Sequence, residues 1–321
     1  MSSVNMDSPA LWKQDIRTSV DFYNKWFVEY APKTFKESRI QTAGRVEEVF
    51  RLTDCMRVIT PEVLIENPQC LSVLRMSTCP PIARDRLSGL SDVSRNTIKV
   101  MDDIENPSIP VRKKRRDLLN EMSNVCRVIN RLIDGELLEW IGTGKEPSSE
   151  EKDRAALVIA DRLCGTIADP IIRNAQERRQ LGTIKEWLET KGYSDVSGKC
   201  RFDEMGPGTF SFRLNVPARV GTGEKTVNIP VDVAIQRMNA NEGDLPIFIE
   251  AKSAGDYTNT NKRRKEEGEK VNNLRNTYGK DIEFILFLCG YFDAGYLGYA
   301  SVERIDWIWE HRLSDMEMLQ L

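Results

Sequence analysis

The hydrophobic period of this chain changes after Gly192, from helical spacing to strict alternation. That change confines the fold to one in which helices come first and a sheet is assembled later. Trp12, Ile16, Tyr23 and Phe27 share one helical face, with Val20 and Tyr30 beside them, and Val46, Val49, Phe50 and Leu52 predict a second helix. Thr60-Pro61-Glu62 combines an N-cap residue, a proline at the first helical position and an acid, so a helix starts there. Leu118, Met122, Val125, Ile129 and Leu132 form a further amphipathic stripe, while Pro80-Pro81 and Asn106-Pro107 mark breaks. Residues 142–151 (GTGKEPSSEE) are small and polar and read as a linker. Asp169-Pro170 reads as another cap-plus-proline start, for a helix carrying Leu181, Ile184 and Leu188 that stops at Gly192.

Beyond Gly192, Phe210, Phe212, Leu214 and Val216 alternate with polar residues, the pattern of a half-buried strand. VNIPVDVAI (227–235), LPIFIEA (245–251) and IEFILFLC (282–289) predict three more strands, the last apolar enough for burial on both faces. Residues 258–278 are charged and helical, and 305–311 are expected to form a final short helix. The predicted class is α+β (mixed α/β): a helical region, 1–165, then a mixed sheet flanked by helices, 166–321.

The 321 residues suffice for one large or two medium domains. Lysine plus arginine total 46 and aspartate plus glutamate 49, so a globally basic nucleic-acid binder is excluded, though a local basic groove is not. The single histidine, His311, rules out histidine-cluster metal sites and two-histidine motifs. It lies between Trp307, Trp309 and the C-terminus and reads as a partly buried packing residue. The seven cysteines are irregularly spaced and contain no C-x-x-C, which argues for reduced thiols over zinc ribbons or disulfides. The N-terminus lacks a signal-peptide pattern, and the longest apolar run, 284–292, is about half what a membrane helix needs. A soluble, cytoplasmic protein without a membrane partner is expected.

Two neighbouring strands carry acids where a core sheet should exclude them. Asp232 lies inside VNIPVDVAI, and Glu250 and Lys252 close the next strand as EAK, with 17 residues between the two acids. A buried carboxylate is costly unless paired or bound to a cation. In extended chain Glu250 and Lys252 share a face. Two converging carboxylates, with the Ala251 carbonyl as a further oxygen donor, suit Mg2+, which takes oxygens at about 2.0–2.1 Å and keeps several waters. Such a site would hydrolyse phosphodiesters, with Lys252 orienting water or stabilising the transition state. A salt bridge at a strand edge would use the same three residues.

The D…ExK strand pair resembles the PD-(D/E)XK nuclease superfamily. More closely, FSFRLNVP (210–217), VNIPVDVAIQ (227–236), EAKSAGDYTNTNKRRKEE (250–267), FILFLCGYFDAGYLGY (284–299) and IDWIWEHRLSD (305–315) resemble the XamI family of type II restriction endonucleases, as does LWKQDIRTSVDFYNKWFVEYAPKTF (11–35). The resemblance spans nearly the whole chain. It implies Mg2+-dependent, site-specific cleavage of double-stranded DNA, with Asp232 and Glu250 as metal acids and Lys252 as the catalytic lysine. Val231 stands where the superfamily has proline, and Pro230 lies one place earlier. Many superfamily members add a glutamate from the preceding helix; Glu177 is the preferred candidate, with Glu186 and Glu189 as alternatives. The family's best-known members cut GTCGAC. A nuclease of DNA repair or junction resolution and a non-catalytic DNA-binding relative are the other readings.

Residues 259–275 follow Lys252 closely and hold six cations against three acids. Asn259, Asn261, Lys262, Arg263 and Arg264 are the expected phosphate contacts. The run Arg112-Lys113-Lys114-Arg115-Arg116 fits either a DNA-backbone grip or an exposed helix start. Gln236 fits either a phosphate contact or a strand-end polar residue. Gly206-Pro207-Gly208 and Gly221-Thr222-Gly223 lack the P-loop pattern and read as hairpin turns. A homodimer on a two-fold DNA site, and a cognate DNA methyltransferase encoded nearby, follow from the resemblance.

Overall fold

The computed structural model describes residues 3–219, 226–258 and 260–321; the Gly221-Thr222-Gly223 turn and Asn259 lie outside them. The chain divides into two compact units, Met1–Tyr30 with Arg173–Leu321, and Ala31–Ile172. The helices are α1 (Pro9–Leu52), α2 (Pro61–Glu66), α3 (Cys70–Met76), α4 (Arg84–Ser91), α5 (Arg95–Met101), α6 (Arg115–Leu132) and α7 (Ser149–Thr190). The later elements are β1 (Ser194–Asp195), β2 (Thr209–Arg219), β3 (Thr226–Gln236), β4 (Ile247–Ala254), α8 (Thr260–Tyr278), β5 (Phe284–Gly290), α9 (Ala294–Val302) and β6 (Asp306–Trp309). The class is α+β, as expected.

The unit Ala31–Ile172 is helical. Leu118, Met122, Val125 and Ile129 of α6 are buried together with Leu71 and Leu74 of α3. Thr60 caps α2 as expected, its hydroxyl oxygen accepting from Val63 N at 3.3 Å. The buried Arg75 guanidinium donates to both oxygens of Asp102 at 2.7 Å, a bidentate geometry that repays desolvation.

The other unit holds a six-stranded sheet in sequence order, β1 to β6. β2–β3 and β3–β4 are antiparallel, whereas β1–β2, β4–β5 and β5–β6 are parallel. Both faces are covered. Leu286, Leu288, Trp307 and Trp309 pack on one side, and Ile285, Phe287 and Ile308 on the other. β5 ends at Gly290 because no other residue fits: a Cβ there would lie 2.1 Å from the Ala254 carbonyl oxygen, at a φ of +97°.

Several expectations change. Residues 305–311 form strand β6 followed by a 3-10 helix, not a helix, because Trp307 and Trp309 face one core and Ile308 the other, a period of two. Asp169-Pro170 starts no helix; Pro170 lies inside the 42-residue α7. Likewise α1 runs unbroken for 44 residues through Pro32, where two helices were expected. Extending an existing helix adds a bond per residue fixed, whereas nucleating a new one is unfavourable, so one lost proline bond does not divide it. The expected linker 142–151 lies inside one unit, with its last residues opening α7. Gly206-Pro207-Gly208 leads into β2 without forming a hairpin, since β1 and β2 are parallel.

The first thirty residues belong with the sheet, whereas the expected division at residue 165 was linear. Asp306 explains their place. Its carboxylate accepts from Val4 N at 2.5 Å, Asn5 N at 2.9 Å and Met6 N at 3.0 Å, besides Trp307 N at 2.8 Å. Trp12 then meets Trp307 edge to face at 5.4 Å, and Gly290 N donates to Ser19 Oγ at 2.8 Å.

Candidate active site

The site forms where the sheet comes apart. β3 and β4 pair through Ile235–Ile247, Ala234–Phe248 and Val233–Ile249, and there the ladder stops. One step further along the same register, Asp232 opposes Glu250. On the other side of β3, the pairing with β2 skips Asp232 and its counterpart Arg213, which has a φ of +51°. Asp232 therefore sits in a break of regular pairing with both neighbours. Such breaks re-aim side chains next to active sites.

The freed backbone has a specific partner. Ala251 N donates to Asp232 Oδ2 at 2.8 Å. In an antiparallel strand a residue's N–H and C=O lie on the same edge, so the Ala251 carbonyl also faces the gap. Glu250 is 6% exposed, and both its oxygens are engaged. Lys252 Nζ donates to Oε1 at 2.8 Å, and Lys270 Nζ, from α8, donates to Oε2. Without these ammoniums the buried charge would cost several kcal/mol.

The Glu250 carboxylate acts with burial on Asp232 and against it on Lys252. Burial, reinforced by the facing Glu250 carboxylate, pushes Asp232 up to about 6, and the lysines and the Ala251 N–H only partly offset this. Burial pulls Lys252 down, but the Glu250 carboxylate outweighs it and the ammonium is held above its ordinary value. A divalent cation between Asp232 and Glu250 would relieve the like-charge opposition. The donors on the gap, two carboxylates and a carbonyl, are hard oxygens of the kind Mg2+ accepts alongside water. Among the described residues no group of three or more His, Cys, Asp or Glu side chains is placed to hold a metal. A cation here would thus rely on Asp232, Glu250, the Ala251 carbonyl and water, an oxygen set that suits Mg2+ better than zinc.

Asp232, Glu250 and Lys252 come together as the spacing predicted. Glu177 is partly exposed and accepts from Nη2 of Arg213, the register counterpart of Asp232 on β2, at 2.8 Å. Glu189 faces Lys185 at 3.8 Å. From α7, Gln180, 1% exposed, reaches β4: its Nε2 donates to the carbonyls of Lys252 at 3.4 Å and, on β5, Phe287 at 3.3 Å. Gln236 donates to the Asp244 carbonyl at 2.8 Å, which ties down a loop. His311 packs beside Trp309, its ring 5.7 Å away, and burial lowers its basicity.

The basic segment splits into roles. Asn261, Lys262 and Arg263 lie in the first turn of α8, and the Arg264 guanidinium stacks on Tyr299 at 4.0 Å. Arg275 donates to the Glu303 and Arg304 carbonyls at 2.7 Å, closing the end of α9. Sequence reasoning missed Lys270 because it counted this lysine among the DNA-facing charges. Its signal was proximity to the apolar stripe, next to Val271 and one turn before Leu274, both fully buried. In the other unit, Arg112, Lys114, Arg115 and Arg116 are exposed around the start of α6, and Lys113 pairs with Glu121. No helix among the described residues is long and apolar enough to cross a membrane.

Known proteins match this chain closely. No solved structure does. The type II restriction enzyme SalI of Streptomyces albus G is 49% identical over 316 residues, covering 98% of this chain and 98% of that enzyme. The type II restriction enzyme XamI of Xanthomonas campestris pv. amaranthicola is 26% identical over 232 residues, 70% of this chain and 74% of that enzyme. The model of the XamI restriction endonuclease family matches residues 54–309, a span that takes in Asp232, Glu250, Lys252 and Lys270. With a split sheet that sets two carboxylates and a lysine together inside that span, the chain belongs to the XamI family of restriction endonucleases.

Proposed function

We propose that this restriction endonuclease, type II by its family, cuts double-stranded DNA at a specific sequence with Mg2+ held by Asp232, Glu250 and the Ala251 carbonyl. The observation that carries the reading is the opposition of Asp232 and Glu250 at the end of the β3–β4 ladder, with Lys252 on Glu250. In this reading the sheet and its three residues form a PD-(D/E)XK core. When bound, Mg2+ supplies an activated water and offsets the negative charge that grows on the phosphate.

The chain's own residues do the rest. Ala251 N fixes the orientation of Asp232. Lys252, on the same strand face as Glu250, is positioned to hold the attacking water or a phosphate oxygen as charge develops. Water gives up a proton as its oxygen bonds to phosphorus, the bond to a sugar oxygen breaks, and that oxygen takes up a proton. Glu177 is the third acid of this reading, supported by its contact with Arg213 opposite Asp232. Asn259, Asn261, Lys262, Arg263 and Arg264, at the start of α8 and just before it, hold DNA phosphates. Backbone N–H groups at that helix start add to the anion binding.

The target in this reading is GTCGAC. Its two-fold symmetry is matched by a homodimer, and host DNA in the cytoplasm is protected by a cognate methyltransferase. The test is a plasmid digest. Purified protein meets unmethylated DNA carrying GTCGAC, with Mg2+ or EDTA, beside Asp232→Ala. Discrete Mg2+-dependent fragments, lost in the variant, are expected, with ends mapping to GTCGAC. Cleavage that survives EDTA or Asp232→Ala would overturn the metal assignment, and ends at another sequence would overturn the target.

A further inference from the structure

Glu250 carries one ammonium more than the strand motif requires. Lys252 comes from its own strand, but Lys270 arrives from α8, a helix fixed from below by the buried Val271 and Leu274. Lys270 is 15% exposed at its side chain and Glu250 8%, so this contact is sheltered from water. Lys252 and Lys270 already answer both oxygens of Glu250 without any metal. A divalent cation brought to Glu250 would meet two ammoniums already on that carboxylate. Its entry on Glu250 Oε2 also requires the oxygen that Lys270 occupies.

We infer that Lys270 is a second active-site lysine, which fills the outer oxygen of Glu250 while no metal is bound and turns to the scissile phosphate when a metal takes that oxygen. The inference rests on the reading that Asp232 and Glu250 hold the metal. A lysine suits such a double role: its ammonium is a point charge with three donors on a flexible stem, so it changes partners without moving α8. The arriving phosphate supplies the negative charge that the metal's entry leaves wanting. An ammonium that served only to neutralise a buried carboxylate would stay on Glu250 and leave the cleavage rate at saturating metal untouched.

The experiment compares wild type, Lys270→Met, Lys270→Arg and Asp232→Ala. Mn2+ binding to the DNA-free enzyme is read by electron paramagnetic resonance, and single-turnover plasmid cleavage is read at saturating Mg2+. Lys270→Met should bind Mn2+ about tenfold more tightly, since a competing charge is gone. It should also cleave on the order of 100-fold more slowly, the scale for losing one donor to a developing oxyanion. Lys270→Arg should keep the wild-type Mn2+ affinity. Equal affinities for wild type and Lys270→Met, including no measurable binding by either, would overturn the proposal, as would an unchanged cleavage rate. Wild-type Mn2+ affinity in Asp232→Ala would instead sink the metal reading on which it rests. Lys270→Gln offers a second neutral side chain should methionine unfold the protein, which circular dichroism reports.

Discussion

Asp232 and Glu250 face each other across the same gap, yet only Asp232 lacks an ammonium on its oxygens among the described contacts. Burial first, and Glu250 second, raise Asp232 to about 6 from an ordinary value of 3.8. The sign of the effect on folding follows. Below the unfolded value both states hold the proton; between the two values only the folded state does; above about 6 the folded state carries a buried anion whose cost its neighbours only partly offset. In EDTA, Asp232→Asn should therefore raise the melting temperature at pH 8. That advantage should shrink as pH falls through about 6 and vanish near the unfolded value. An advantage that grew toward low pH would contradict the burial assigned to this carboxylate. Lys252 makes a different prediction. Lys252→Met should slow cleavage by on the order of 10²-fold or more, because a donor to developing charge is lost. A gel-shift assay in Ca2+ should show DNA binding largely retained, and loss of binding in step with activity would reassign Lys252 to substrate affinity.

At the scale of elements, β2 and β3 were legible because alternation survives in sequence wherever a strand has distinct faces, and β4 and β5 as short apolar runs of strand length. The meeting of Asp232, Glu250 and Lys252 at one gap was legible for the related reason that acids within such strands need an explanation. β6 was misread since Asp306–Trp309 is buried throughout, and four residues are too few to distinguish a period of two from a helical turn. The helix boundaries at Pro32 and Pro170 were misplaced because a local breaker competes with helix cooperativity, whose outcome depends on packing beyond the window. Lys270 stayed hidden because a lysine in a charged helix gives no sign that its ammonium reaches a strand. The role of Asp306 was equally invisible, since its partners are backbone groups some 300 residues away. Asp306→Ala would orphan the N–H groups of Val4, Asn5 and Met6. We expect a loss of roughly 2–4 kcal/mol in urea unfolding, from charge-assisted bonds whose buried donors are left unsatisfied. A loss under about 0.5 kcal/mol, the range of ordinary surface substitutions, would mean that water replaces the carboxylate freely.

Across the whole molecule, the unit that carries the sheet is discontinuous in sequence, with Ala31–Ile172 inserted between its two parts. α1 and α7 each contribute residues to both units. The N-terminal part is structural for the site's own sheet. Asn5 Nδ2 donates to the Trp307 carbonyl at 2.9 Å and to Asp315 at 2.8 Å, and Arg312 donates to Asp15 at 2.6 Å. Tyr291, just past β5, donates its hydroxyl to Asn24 at 2.9 Å. These contacts secure the ends of β5 and β6, and β5 in turn pairs with β4 along Glu250 and Lys252. A fragment of residues 166–321 holds every site residue proposed here, and a linear division would expect it to fold. It lacks Asn5, Asp15, Ser19 and Asn24, and it exposes the Trp307 face that Trp12 covers. We expect it to show no cooperative urea transition by tryptophan fluorescence, and to be degraded by trypsin under conditions the intact chain withstands. A sharp transition with Mg2+-dependent nicking by the fragment would show that β4, β5, Asp232 and Glu250 assemble without the N-terminal helix, and would restore the linear division.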